Sequence, residues 1–128
     1  MTEKNKKILL AEDEASIARL VEFKLSREGY DVFIAKNGQV AIEHLFSQPW
    51  SVLILDIMMP VLDGWEVLKK VRAIESLKSL PVLMLTAKGQ QKDLASAIEL
   101  GANEFLRKPF DPDELVEVVK KLLSRSST

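Results

Sequence analysis

The sequence predicts a single α/β domain in which five strands alternate with five helices, a (βα)5 chain wound into a doubly covered parallel sheet. Three observations carry this. Short apolar runs recur along the chain, each followed by a polar or turn signal and then a helix-periodic stretch. The best-marked run, Val52-Leu53-Ile54-Leu55, is apolar at every position, as a strand buried on both faces must be. Strict alternation of the two element types calls for a parallel sheet with helices on both sides and right-handed crossovers.

Each element has its own justification. Lys7–Ala11 is the first buried strand, followed at once by Glu12-Asp13-Glu14. A helix from about Glu14 to Arg27 puts Ile17, Leu20, Val21 and Leu25 on one face, and Gly29 ends it. Asp31–Ala35 is a short strand at the sheet edge, followed by Lys36 and Asn37. Asn37-Gly38 marks a turn or helix start. The second helix, about Gln39–Ser47, carries Val40, Ala41, Leu45 and Phe46. After the strand Ser51–Leu55, Asp63 can cap a third helix, about Gly64–Glu75, with Val67, Leu68, Val71 and Ile74 inward. Pro81 opens the strand Val82–Leu85. A weakly apolar fourth helix spans about Gln91–Leu100, and Gly101 stops it. Glu104–Arg107 is the last strand. Asp111 caps a final helix with Pro112 in its first turn and Glu114 at the capping-box position. That helix runs to about Ser124, with Leu115, Val118, Val119 and Leu122 inward and a frayed tail beyond.

Composition narrows the chemistry. The chain has 128 residues, 47% hydrophobic and 29% charged, with a net charge of −1. That suits one domain over residues 1–128, with no second domain. The near-neutral balance predicts no direct nucleic-acid contact and no membrane surface. There is no cysteine, which excludes disulfides and thiol catalysis, and a single histidine excludes a multi-histidine metal site. No apolar run approaches the roughly 20 residues of a membrane span, and the polar start MTEKNKK is not a signal peptide, so the expected location is cytoplasmic.

Function in a doubly wound sheet gathers beyond the carboxyl ends of the strands. Those ends carry Glu12 and Asp13, then Asp56, Thr86 and Lys108. Three neighbouring carboxylates repel and need a cation or a shared proton. All-oxygen ligation suits a hard ion, Mg²⁺ first, with Mn²⁺ an acceptable substitute. Lys108 is a mobile point charge, and Thr86 can donate to a phosphoryl oxygen. Phosphoryl transfer onto a carboxylate uses all of these groups.

The motifs ILLAEDE, LDIMMPVLDG, MLTA, GANEF and RKPF, in this order and spacing, resemble those of a response-regulator receiver domain, over essentially Lys7 to Leu123. The resemblance implies a flavodoxin-like strand order 2-1-3-4-5. It implies Asp56 as phosphoacceptor, with Asp13, Asp56 and the Met58 carbonyl binding Mg²⁺ and Glu12 acting through water. Thr86, Lys108 and the Ala87 backbone would contact the phosphoryl group. Thr86 and Phe105 would form the switch, and Lys108–Pro109 would be cis. It further implies a sensor histidine kinase or histidine phosphotransfer protein as donor, an output protein or domain as target, and a monomer or a phosphorylation-dependent dimer. No enzyme beyond self-phosphorylation and slow autodephosphorylation is expected. The chain departs from the commonest pattern at Glu12, usually aspartate, and at Phe105, often tyrosine. Met58 and Lys88 occupy variable positions that bear on dephosphorylation rate.

Other readings compete with this one. A pseudo-receiver would keep the fold and take no phosphate. A flavin-binding protein would need a Ser/Thr/Gly loop where Glu12-Asp13-Glu14 stand, and neither GxGxxG nor a P-loop is present. An aspartate-nucleophile phosphatase would need a second aspartate where Met58 lies. Asp63 reads as a helix cap, His44 as a helix residue without a role, and Trp65 as half-buried. Val116 and Leu123 could extend the core or face a partner.

Overall fold

The computed structural model describes residues 6–86 and 98–126. Its strands are β1 (Lys7–Ala11), β2 (Asp31–Ala35), β3 (Val52–Asp56), β4 (Val82–Thr86) and β5 (Glu104–Arg107). They form one parallel sheet in the order β2-β1-β3-β4-β5. The described helices are α1 (Ala15–Arg27), α2 (Gly38–Ser47), α3 (Gly64–Ala73) and α4 (Pro112–Ser126), with a 3-10 turn at Glu75–Leu77. Of the helix expected over Gln91–Leu100, all but the end lies outside the described residues, as do Ala87 and Lys88.

Alternation along the strands divides the core in two. Leu9, Leu53, Leu55 and Met84 face α2 and α3, whereas Ile8, Leu10, Ile54 and Leu85 face α1 and α4. Every residue of β3 and β4 is buried, because helices cover both faces of the sheet centre. Each large apolar side chain withdrawn from water there contributes roughly 1.5–3 kcal/mol. β2 lies at the edge of the sheet, as expected. As an edge strand it leaves Asp31 and Phe33 exposed.

Several boundaries and faces differ from the sequence reading. Leu20, expected on the apolar face of α1, is exposed, and so is Phe46 of α2, because Ala18, Val21 and Leu25, and Ala41 and Leu45, hold the i, i+3 and i+4 core positions. Leu20 and Phe46 stand next to these positions, about 100° further round the helix. β3 and β4 each extend one residue further than expected, so Asp56 and Thr86 are the last strand residues. α3 ends at Ala73, with Ile74 as its C-cap. α4 continues through Ser126, past the expected end at Ser124, since no Gly or Pro interrupts it. Val116 and Leu123 both belong to the core. Trp65 is half-buried, as expected.

Candidate functional site

Three carboxylates meet at the carboxyl end of the sheet. One oxygen each of Glu12, Asp13 and Asp56 lies within 4.8 Å of the others. β1 and β3 are adjacent strands, so the residues that end them arrive side by side. Glu12 and Asp56 are 1% and 3% exposed, while Asp13 opens to solvent.

Lys108 reaches into this group from the end of β5. Its Nζ lies 2.8 Å from Glu12 Oε1 and 3.1 Å from Asp56 Oδ2. Glu14 Oε1, at 4.0 Å, stands on the rim. Burial of the ammonium works against its charge, but the close Glu12 and Asp56 carboxylates outweigh that and push the Lys108 pKa up. Asp56 moves the other way from most paired carboxylates. Burial first, then the charge of Glu12, raise its pKa to about 6, against the pull of Lys108.

The charge balance is incomplete. Among the described residues, three carboxylates against the one ammonium in contact with them leave two negative charges. Glu12 Oε1 is in ion-pair contact with Lys108 but outside hydrogen-bond geometry, so a buried oxygen keeps acceptor capacity to spare. Glu12 Oε2 accepts the Glu14 backbone N–H at 3.1 Å. An all-oxygen set with a deficit of this size fits a hard divalent cation.

The loop after β3 shapes the mouth of the site. Met58 N–H donates to Asp56 Oδ1 at 3.4 Å, and the Met58 side chain is exposed. Gly64 N–H donates to the Ile57 carbonyl at 2.8 Å, drawing the start of α3 onto the loop. A Cβ on Gly64 would stand 2.5 Å from the Asp56 carbonyl oxygen, so glycine is needed for this approach. Val61 holds a positive φ of 71°, a conformation that disfavours a β-branched residue. Asp63 caps α3 in a full capping box with Glu66 and takes no part in the cluster.

Thr86 and Phe105 sit apart from the carboxylates. The Thr86 hydroxyl donates to the Leu106 carbonyl at 3.4 Å, and among the described residues no hydrogen bond joins it to Asp56. Phe105 is half-buried against the α2–α3 side of the core. The Lys108–Pro109 bond is cis. His44 lies edge-on to Trp50, its carbonyl accepting the indole N–H, which is a packing role.

Sequence reasoning therefore named the groups that converge, but missed Glu14 on the rim and the close approach of Gly64. The run Glu12-Asp13-Glu14 was a signal for the first. The second had only the Asp63-Gly64 pair, which reads equally well as an ordinary helix start.

Comparison with known proteins agrees with this geometry. The chain is 43% identical over 122 residues to the alkaline phosphatase synthesis transcriptional regulatory protein PhoP of Bacillus subtilis, covering 95% of this chain and 50% of that protein. It is 38% identical over 120 residues to the probable transcriptional regulator ycf29 of Porphyra purpurea, covering 94% and 57%. The chain thus spans about half the length of the curated relatives it matches. Among solved structures, the Francisella response regulator 1452 receiver domain superposes with a TM-score of 0.89 at 32% identity, covering 95% of this chain and 99% of that one. The chemotaxis response regulator CheY4 of Vibrio cholerae gives 0.87 at 32% identity, covering 93% and 99%. The profile of the response regulator receiver domain matches residues 8–120, and the chain belongs to that family.

Proposed function

We propose that this receiver domain is the phosphoacceptor of a two-component phosphorelay, with Asp56 as the residue that takes the phosphoryl group. The observation that carries the reading is the convergence of Glu12, Asp13 and Asp56 around the Lys108 ammonium with two negative charges left over. The donor is a phosphohistidine on a sensor histidine kinase or a histidine phosphotransfer protein. An Asp56 carboxylate oxygen forms the new P–O bond as the P–N bond to histidine breaks, and the histidine nitrogen leaves and takes up a proton.

Mg²⁺, or Mn²⁺ in its place, held by Asp13, Asp56, the Met58 carbonyl and Glu12 through water, would supply charge neutralisation between carboxylate and phosphoryl group. The chain's own groups do the rest. Lys108, already 3.1 Å from Oδ2, is placed to follow the charge from carboxylate to phosphoryl oxygen. Among the described residues the Thr86 hydroxyl has only a 3.4 Å contact to give up, so turning to the phosphoryl group costs little. By the family resemblance, the backbone N–H of Ala87 would be a further phosphoryl contact. Phe105 then follows Thr86 and changes the surface around β5 that an output protein or domain reads. Slow loss of phosphate resets the switch, so the chain is a signalling element, not a metabolic enzyme. The described helices include none long and apolar enough to cross a membrane.

The test is labelling of the chain by a phosphorylated histidine donor or by phosphoramidate, with and without Mg²⁺. Parent protein should label only with the cation present, and Asp56→Asn should not label at all. Unchanged labelling of Asp56→Asn would move the acceptor elsewhere. Absence of labelling in the parent, with a fold intact by circular dichroism, would make the chain a pseudo-receiver.

A further inference from the structure

Arg72 lies near the end of α3, well away from the acidic site. Its guanidinium is half-buried, which lowers its pKa, yet among the described residues no carboxylate comes within ion-pair distance. All its described hydrogen-bond partners are neutral acceptors. Nε donates to the Gly101 carbonyl at 2.9 Å, and one terminal nitrogen donates to the Leu77 and Lys78 carbonyls at 3.2 and 3.1 Å. The other donates to Asn103 Oδ1 at 3.0 Å. Five fixed N–H groups on a planar fork suit such a task, and a flexible ammonium does not.

Asn103 passes this constraint on. Its Oδ1 also accepts the Val82 backbone N–H at 2.8 Å, and its own N–H donates to the Val82 carbonyl at 2.9 Å. Asn103 thus closes a ring on the first residue of β4, and Arg72 holds the amide in the orientation that closes it. Gly101 adopts φ 103°, and a Cβ there would stand 2.8 Å from Arg72 Nε, so both conformation and space call for glycine.

The consequence runs along β5. That strand pairs with β4 from Leu83↔Glu104 to Thr86↔Arg107. At its base it is tied by Asn103 to Val82, and at its top the Lys108 N–H donates to the Thr86 carbonyl at 2.7 Å. Phe105 lies between the two ties, and the Lys108 ammonium projects from the upper one.

We propose that Arg72, acting through Asn103, is a positioning residue that fixes the base of β5 against β4 and so sets where the Lys108 ammonium and the Phe105 ring stand. The proposal deepens the reading of Asp56 as phosphoacceptor, and only its kinetic arm rests on that reading.

Arg72→Met, Arg72→Lys, Asn103→Ala and the Arg72→Met/Asn103→Ala double variant, made in the full chain, test it by two measurements. The first is amide hydrogen exchange by NMR. Exchange at Lys108 should accelerate at least tenfold relative to Ile54 in every single variant, and the double variant should be no faster than the faster of Arg72→Met and Asn103→Ala, as coupled residues require. Arg72→Lys should not rescue. The second is labelling of Asp56 by phosphoramidate. Its rate at saturating Mg²⁺ should fall about tenfold or more, since a small misplacement of a charged group is costly, while the Mg²⁺ half-saturation stays at the parent value because β1 and β3 carry the carboxylates. Parental Lys108 exchange relative to Ile54, with parental labelling rate, would overturn the proposal even if the variants melt earlier. Should Arg72→Met fail to fold, Asn103→Ala alone decides. If the parent itself does not label, the phosphoacceptor reading fails and the exchange result still decides the role of Arg72.

Discussion

The Nζ of Lys108 stands 3.1 Å from Oδ2 of Asp56, across a sequence separation of 52 residues, and it is the only cation among the described residues in contact with that carboxylate. Most of the site's behaviour follows from how far one ammonium can serve both Asp56 and Glu12.

It serves Asp56 incompletely, and this has a pH signature. Burial and the Glu12 charge raise the Asp56 pKa from 3.8 to about 6. Between these values the folded chain binds more protons than the unfolded chain, so without metal the stability contribution is full below about pH 4 and is lost as pH rises through about 6. Asp56→Asn removes this penalty. In the presence of a chelator it should be more stable than the parent at pH 7.5, by at most about 3 kcal/mol. The gap should close toward pH 4. Urea midpoints across this range check it, and a gap independent of pH would contradict the charge account.

Removing the ammonium should have the opposite effect. Lys108→Met leaves Glu12 and Asp56 buried without a counter-charge, which should cost about 3–5 kcal/mol at pH 7.5. Protonating Asp56 relieves the repulsion, so the loss should be smaller at pH 5. Denaturant unfolding at the two pH values, without metal, decides this.

Gly64 and Gly38 should resist even alanine. A Cβ on Gly64 meets the Asp56 carbonyl oxygen and the Ile57 Cα, and one on Gly38 meets the Leu62 carbonyl oxygen. These neighbours are backbone atoms that cannot swing aside. Each Gly→Ala change should cost roughly 2 kcal/mol or more. Gly64→Ala should also slow Asp56 labelling, because the loop that carries Met58 must shift. Thermal melts and labelling of the two variants provide the comparison.

Asp63, in the same loop, should separate stability from chemistry. Asp63→Ala removes the capping box on α3 and should cost about 1 kcal/mol. Its labelling rate should match the parent's, since Asp63 stands outside the carboxylate cluster. A large labelling defect in a folded Asp63→Ala protein would bring Asp63 into the site.

How much of this was legible beforehand depends on the range of the forces involved. By itself the sequence determined the alternation of elements and the five-stranded architecture, because hydrophobic period and turn chemistry are local. It also named Glu12, Asp13, Asp56, Thr86 and Lys108, because each ends or follows a strand. Only the tertiary structure decided how these groups divide. Carried on past the strand ends, the side-chain alternation sends Glu12, Asp56 and Lys108 to the α1–α4 side, and Thr86 with Phe105 to the other. Lys108 therefore pairs with the carboxylates while the Thr86 hydroxyl turns to β5. The raised Asp56 pKa, the close approach of Gly64 and the Arg72–Asn103 clamp arise only when distant segments pack, because desolvation and steric fit have no signature in one segment alone.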